Sequence, residues 1–237
     1  MTLKDKKVVI IGGSSGMGLA IAKAAVAEQA KVVIAGRSPQ KLEDALAEIE
    51  DNVLVYPVDI TDMASLQGFF QREGEIDHLV IAGGFVKWGG FKEMPVEDAI
   101  AAMNSKFFGQ YRAIQAATVC PGGSITLFSG VLSRRPKVGT AAVTAVNAAV
   151  EGLGQALAVE LAPVRVNVIA PGLVKTPAYS AMPDGERQAM YESAAKALPV
   201  GYVGEPEDIA AVALMLMTNP YITGTVIDVD GGSRLVQ

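Results

Sequence analysis

Seven short apolar runs, separated by longer segments with helical spacing, recur along the chain, and this alternation restricts the fold more than any other feature. VVII at Val8–Ile11, KVVIA at Lys31–Ala35, VLVYPV at Val53–Val58 and HLVIA at His78–Ala82 read as buried strands, as do SITLF at Ser124–Phe128, VRVNVIA at Val164–Ala170 and TVIDV at Thr225–Val229. Between them, Leu19–Val26, Leu42–Ile49 and Val143–Leu161 carry apolar residues three and four apart, as amphipathic helices do. Ser38 ahead of Pro39 supplies an N-cap and a first-turn proline, and Thr61-Asp62 ahead of Leu66 and Phe69 marks another helix start. Strands alternating with helices demand right-handed crossovers and a parallel sheet covered on both faces. The fold class is therefore α/β, a doubly wound parallel sheet. No linker, low-complexity tract or repeat divides the chain, so residues 1–237 are expected to form a single domain.

Composition narrows the partners. Half the residues are hydrophobic and 19% are charged, enough apolar content for a large core. Twenty Lys and Arg against 25 Asp and Glu leave a net charge of −5, which disfavours nucleic acid and anionic membrane surfaces. One cysteine, Cys120, forms no internal disulfide, and one histidine, His78, supplies no zinc site built on several His or Cys ligands, so no metal is expected. The first apolar run is too short for a signal-peptide core, and no 18-residue apolar stretch is read elsewhere. These features predict a cytoplasmic protein.

Directly after the first strand comes Gly12-Gly13-Ser14-Ser15-Gly16-Met17-Gly18, opening a helix near Leu19. Such a turn lets backbone N–H groups and a helix N-terminus approach a pyrophosphate. Glycines also end strands for steric reasons; the strand–turn–helix setting is what favours a dinucleotide. The second strand ends Ala35-Gly36-Arg37-Ser38, where an acidic residue would bind the ribose 2′-hydroxyl of NAD, and none is present. Gly36 leaves room, and the Arg37 guanidinium can pair with a 2′-phosphate. An isolated loop arginine is usually a solvated charge, but its coincidence with the missing acid predicts NADP(H).

With these residues the sequence resembles the short-chain dehydrogenase/reductase family over nearly its whole length, which implies a Rossmann-like sheet. Gly12, Gly16 and Gly18 match the family's glycine spacing, and Asp59-Ile60 looks like the pair that holds the adenine ring. Ile81-Ala82-Gly83-Gly84 falls on the family's Asn-Asn-Ala-Gly loop without its asparagines. Pro171-Gly172-Leu173-Val174-Lys175-Thr176 is similar to the segment around the nicotinamide, and Tyr221–Gly224 with Val229–Gly232 resembles the family's tail. The resemblance implies cofactor contacts from Ser14, Ser15, Met17, Ser38, Ala82, Gly83, Gly84, Asn147, Pro171, Gly172, Val174 and Thr176. It also implies a homo-oligomer, a tetramer, paired through helices at 94–119 and 143–161, with a second interface from the tail.

The catalytic positions depart from the family. Its serine, tyrosine and lysine fall on Gly130, Val143 and Asn147; only Asn104 retains the family identity. None of Tyr56, Tyr111, Tyr179, Tyr191, Tyr202 and Tyr221 is followed by lysine four residues later, so no slip of register restores the pair. Valine carries no proton and the asparagine amide does not titrate near neutrality, although it can bond ribose hydroxyls. Replacement donors considered are Ser129, Lys175, Tyr179 and Lys87 with Trp88, each more often a packing or surface residue. Arg134-Arg135 could bind an anionic substrate, and His78 is given no role. Asn104 and Ser129 are the catalytic candidates.

Two functions are carried forward. One is an NADP(H)-dependent oxidoreductase moving hydride to or from a small carbonyl, imine or enone without the Tyr–Lys pair. The other is an NADP(H)-binding pseudoenzyme or non-catalytic subunit. Lyase or hydrolase chemistry has no residue signature. Installing Gly130→Ser, Val143→Tyr and Asn147→Lys is expected to create ketone reductase activity if the scaffold lacks only these side chains.

Overall fold

A computed structural model of the chain describes residues 2–49, 53–84 and 86–236. The expected strands form as β1 (Lys7–Ile11), β2 (Lys31–Gly36), β3 (Leu54–Pro57), β4 (Glu75–Ile81), β5 (Thr118–Phe128), β6 (Arg165–Pro171) and β7 (Val226–Val229). They make one sheet in the order β3-β2-β1-β4-β5-β6-β7, parallel at every pairing. The helices are α1 (Gly16–Ala27), α2 (Pro39–Ala47), α3 (Met63–Glu73), α4 (Val96–Ala102), α5 (Phe108–Ala116), α6 (Ala141–Glu160), α7 (Asp184–Ala197) and α8 (Pro206–Thr218).

The pleat sorts alternate side chains into two cores. Val8, Ile10, Val32 and Ile34 pack with Leu19, Leu42, Ile209 and Leu216 of α1, α2 and α8. Val9, Ile11, Val33 and Ala35 pack on the other face with Leu66, Phe69, Ala113 and Val150 of α3, α5 and α6. Both helix starts read from sequence are present: Ser38 Oγ accepts from Lys41 N–H at 3.4 Å, and Asp62 Oδ1 accepts from Ala64 N–H at 2.9 Å.

Three expectations need correction. The helix at 94–119 is not continuous: α4 gives way to a π-helical turn, Met103–Phe107, before α5, and β5 begins at Thr118. Strand β4 starts at Glu75, so His78 lies in mid-strand, buried, with Nδ1 bonded to Ser124 Oγ at 2.8 Å. Helix α6 is long and apolar enough to meet the requirement for a membrane span by length and composition. Its Val143, Val146, Asn147, Val150 and Gly154 face the protein interior, and a Cβ on Gly154 would lie 2.4 Å from a Val168 methyl, so β6 already occupies that side.

Because β1 is flanked by β2 and β4, the chain leaves toward opposite edges of the sheet after these central strands, and a crevice opens at their carboxyl ends. Ile11 and Ile81 are register partners, and Ala82 N–H donates to the Ile11 carbonyl at 2.9 Å. The glycine turn and the loop after β4 therefore lie side by side.

Candidate active site at the carboxyl edge of the sheet

Backbone contact builds the first wall. Gly12 and Gly16 have φ of +84° and +52°, and a Cβ on Gly12 would stand 2.4 Å from Gly83 N. A Cβ on Gly18 would stand 2.2 Å from Gly12 O, so the first turn of α1 presses directly on the glycine turn. Ser14, Ser15 and Met17 are carried on this turn, and Ser15, extended at the helix N-cap, makes no side-chain cap. A cradle that any side chain would fill is what a pyrophosphate at a helix N-terminus requires, so these residues fit a dinucleotide.

At the end of β2, a Cβ on Gly36 would approach Ser14 Oγ at 3.3 Å, and the exposed Arg37 follows. Asp59 Oδ1 accepts from the Thr61 N–H and hydroxyl, both at 2.8 Å. Those bonds, with a smaller contribution from the Arg37 charge, hold its carboxyl below the usual range. Ile60 is buried beside it against the Gly109 position of α5. On the far side, Gly172 backs onto Asp230, and Thr176 rests on the glycine turn, its Cβ 3.2 Å from where a Gly16 Cβ would be. Pro171 and Val174 are buried between them. The structure thus brings the expected cofactor segments to one edge.

The positions that the resemblance would make catalytic lie around a residue absent from the expected set. Lys106 rises from the π-helical turn, and its ammonium donates to Ser129 O and to Asn147 Oδ1, each at 2.7 Å. Its stem lies under Gly84, where a Cβ would meet Lys106 Cγ at 3.0 Å. Protein packed around the ammonium pushes its pKa down to about 8, against the Glu151 carboxylate, which raises it; the residue as a whole stays half-buried. Asn147 also donates to Gly130 O at 3.3 Å, and a Cβ on Gly130 would come within 2.9 Å of Asn147 Nδ2. Val143, one turn earlier on α6, is buried.

Glu151, one turn beyond Asn147, accepts from Ser129 Oγ at 2.9 Å and from Ser133 Oγ at 2.5 Å. Arg134 lies 3.7 Å from Glu151 and pairs more closely with Asp228, which Arg234 also meets at 2.8 Å. Arg135 donates to the Ser233 carbonyl. The paired arginines are thus engaged with the protein itself.

The other candidates are likewise committed elsewhere. Asn104 Oδ1 accepts from the Arg112 guanidinium at 2.7 Å, and the described hydrogen bonds do not join it to the Lys106 group. Lys175 pairs with Glu205 at 2.5 Å and Lys87 with Asp98 at 2.7 Å. Tyr179 packs edge-on to Tyr191, and burial pushes its phenol up, away from easy proton release. Trp88 is exposed. Lys106 escaped the sequence reading because it lies 41 residues from Asn147 along the chain. The signal that could have found it is a lysine two residues past Asn104.

The loops Gly90–Glu93 and Pro136–Thr140, with Ala141 and Thr144 of α6, border an open cleft of about 500 Å³ that carries the exposed Phe91 and Val138. Gly89 N–H donates to Gly139 O at 3.0 Å and ties the two loops together.

The profile of a family described as Enoyl-(Acyl carrier protein) reductase matches residues 12–234. The short-chain dehydrogenase/reductase ucsE of Acremonium is 34% identical, with 98% of this chain and 97% of that protein covered. The mouse 3-oxoacyl-[acyl-carrier-protein] reductase is 30% identical over 98% of this chain and 99% of its own length. Among solved structures, a small-chain dehydrogenase in complex with NADPH is 40% identical with a TM-score of 0.87, covering 98% of this chain and all of that one. With a family profile and relatives that span nearly its whole length, this chain belongs to the short-chain dehydrogenase/reductase family.

Proposed function

We propose that the chain acts as one dinucleotide-binding domain and is an NADP(H)-dependent oxidoreductase, passing hydride to or from a small carbonyl, imine or enone without the family's Tyr–Lys pair. The observation that carries this reading is the glycine cradle joined to a β2 end that bears Gly36 and Arg37 in place of an acid. Support for the cofactor comes also from the relative solved with NADPH. In this reading the Gly12–Gly18 backbone holds the pyrophosphate, with Arg37 and Ser38 on the 2′-phosphate and Asp59 and Ile60 beside the adenine. Ala82, Gly83 and Gly84 line the ribose side; Pro171, Gly172, Val174 and Thr176 flank the nicotinamide. Bound NADPH supplies the hydride. Asn147 offers its carboxamide to the ribose while held by Lys106, and Ser129 anchors the strand end. The apolar walls of the cleft at Phe91 and Val138 suit a substrate with a hydrophobic body. Its working form is a cytoplasmic homotetramer.

The test is a fluorescence titration of the unmodified chain and of Arg37→Ala. Losing a charge-assisted pair to the 2′-phosphate costs about 1.5–3 kcal/mol, so Arg37→Ala should bind NADPH roughly 10- to 100-fold more weakly and leave NADH unchanged. Equal affinity of the unmodified chain for both dinucleotides overturns the cofactor assignment. One observation favours the second reading, an NADP(H)-holding subunit without catalysis: Gly130, Val143 and Asn147 stand where the resemblance implies the reacting side chains. Tight NADPH binding with no hydride transfer to ketones, imines or enones would decide for it.

A further inference from the structure

We propose that Lys106 is the acid of this site: its ammonium, held between the Ser129 carbonyl and the Asn147 carboxamide beside the Gly84 loop, gives the proton that the substrate's oxygen or nitrogen takes up on reduction. The inference rests on the reductase reading above. Reduction needs a proton as well as a hydride, and neither Val143 nor Asn147 releases one. The Ser129 hydroxyl is committed to Glu151, and the Lys175 and Lys87 ammoniums are paired with surface carboxylates. Lys106 alone among these donors reaches Asn147, at 2.7 Å, the position the resemblance assigns to a lysine. Thus the site keeps an ammonium but brings it from the opposite helix.

Three features fit a proton donor. Lys106 lies in a π-helical turn, a distortion common at functional sites because it re-aims side chains. The absent side chain at Gly84 leaves space along its stem, on the loop that borders the cofactor cradle. Burial lowers its pKa to about 8, so the group is protonated at neutral pH yet close to the range where it gives the proton up. The charged groups facing it are Glu151 on α6, which favours the ammonium, and Arg134 behind Glu151; Ser129, Asn147 and Gly84 bring no charge. In the step, the carbonyl carbon accepts a hydride and its electron pair from the reduced dinucleotide. The π pair moves to oxygen, an O–H bond forms as a Lys106 N–H bond breaks, and the neutral amine regains a proton from water.

Two measurements on the full chain test this. In the first, lysine labelled with ¹³C and ¹⁵N is titrated by NMR, and the Lys106 signal is assigned by its loss in Lys106→Met or, should that variant not fold, in Lys106→Arg. The midpoint should be lower with NADP+ than with NADPH, because an oxidised ring next to the ammonium adds a positive charge. Identical midpoints overturn the placement. In the second, NADPH oxidation is followed with 9,10-phenanthrenequinone, 2,2,2-trifluoroacetophenone and 2-methyl-1-pyrroline. For the unmodified chain, kcat/KM should fall above about pH 8. At saturating NADPH, Lys106→Met and Lys106→Arg should both be on the order of 10²-fold slower or worse, without that limb. Undiminished turnover with the limb retained in Lys106→Met overturns the acid role alone. Failure of the unmodified chain on every probe overturns the reductase reading, and the acid role with it.

Discussion

At the scale of single residues, Gly130 and Asn147 are a matched pair. The Asn147 amide stands 2.9 Å from where a side chain at 130 would begin, and its oxygen takes the Lys106 ammonium at 2.7 Å. Restoring the family residues is therefore not three independent additions. Asn147→Lys would set a second buried ammonium against the first, and two like charges cannot share so small a space without neutralising or moving. Gly130→Ser, Val143→Tyr and Asn147→Lys together should lower stability by roughly 3 kcal/mol or more and leave ketone reduction weak, because the buried Val143 site must also admit a ring. Adding Lys106→Met should recover part of the melting temperature and raise trifluoroacetophenone turnover. A triple variant as stable as the parent would show that Lys106 swings clear.

Among elements, the sheet was readable because each strand contains a short run rich in β-branched and aliphatic residues, and the capping residues Ser38 and Asp62 act where their chemistry places them. What the pattern hid is the π-helical turn: Met103–Phe107 has the same apolar spacing as its neighbours, and only the packed structure shows that the register shifts there and that Lys106 crosses to α6. The same stretch holds a second long-range device. Gln110 on α5 is fully buried, with its amide donating to Phe128 O at 3.2 Å and its carbonyl accepting from Phe128 N–H at 3.1 Å. It pairs with the end of β5 as another strand would. Gln110→Leu should cost roughly 1–3 kcal/mol for each backbone group it orphans, read as a lower urea midpoint. An unshifted midpoint would mean that water replaces the amide.

For the whole molecule, the helices expected to pair carry some of the exposed apolar side chains: Val96 and Ile100 on α4, Phe108 and Tyr111 on α5, and Val159 on α6. Covering them would remove apolar surface from water. Light scattering at micromolar concentration should accordingly report a tetramer, and a monomer would refute that assembly while leaving the sheet and cradle untouched. The tail, whose last residue lies outside the described residues, matters within one protomer as well. Arg134 stands between two carboxylates, nearer to Asp228 of β7 than to Glu151. Should the last strand let go of it, the guanidinium would be free to settle on Glu151 and screen the negative charge that favours the Lys106 ammonium. By keeping that arginine on Asp228, the last strand acts as a counterweight that leaves the Glu151 charge to the Lys106 ammonium.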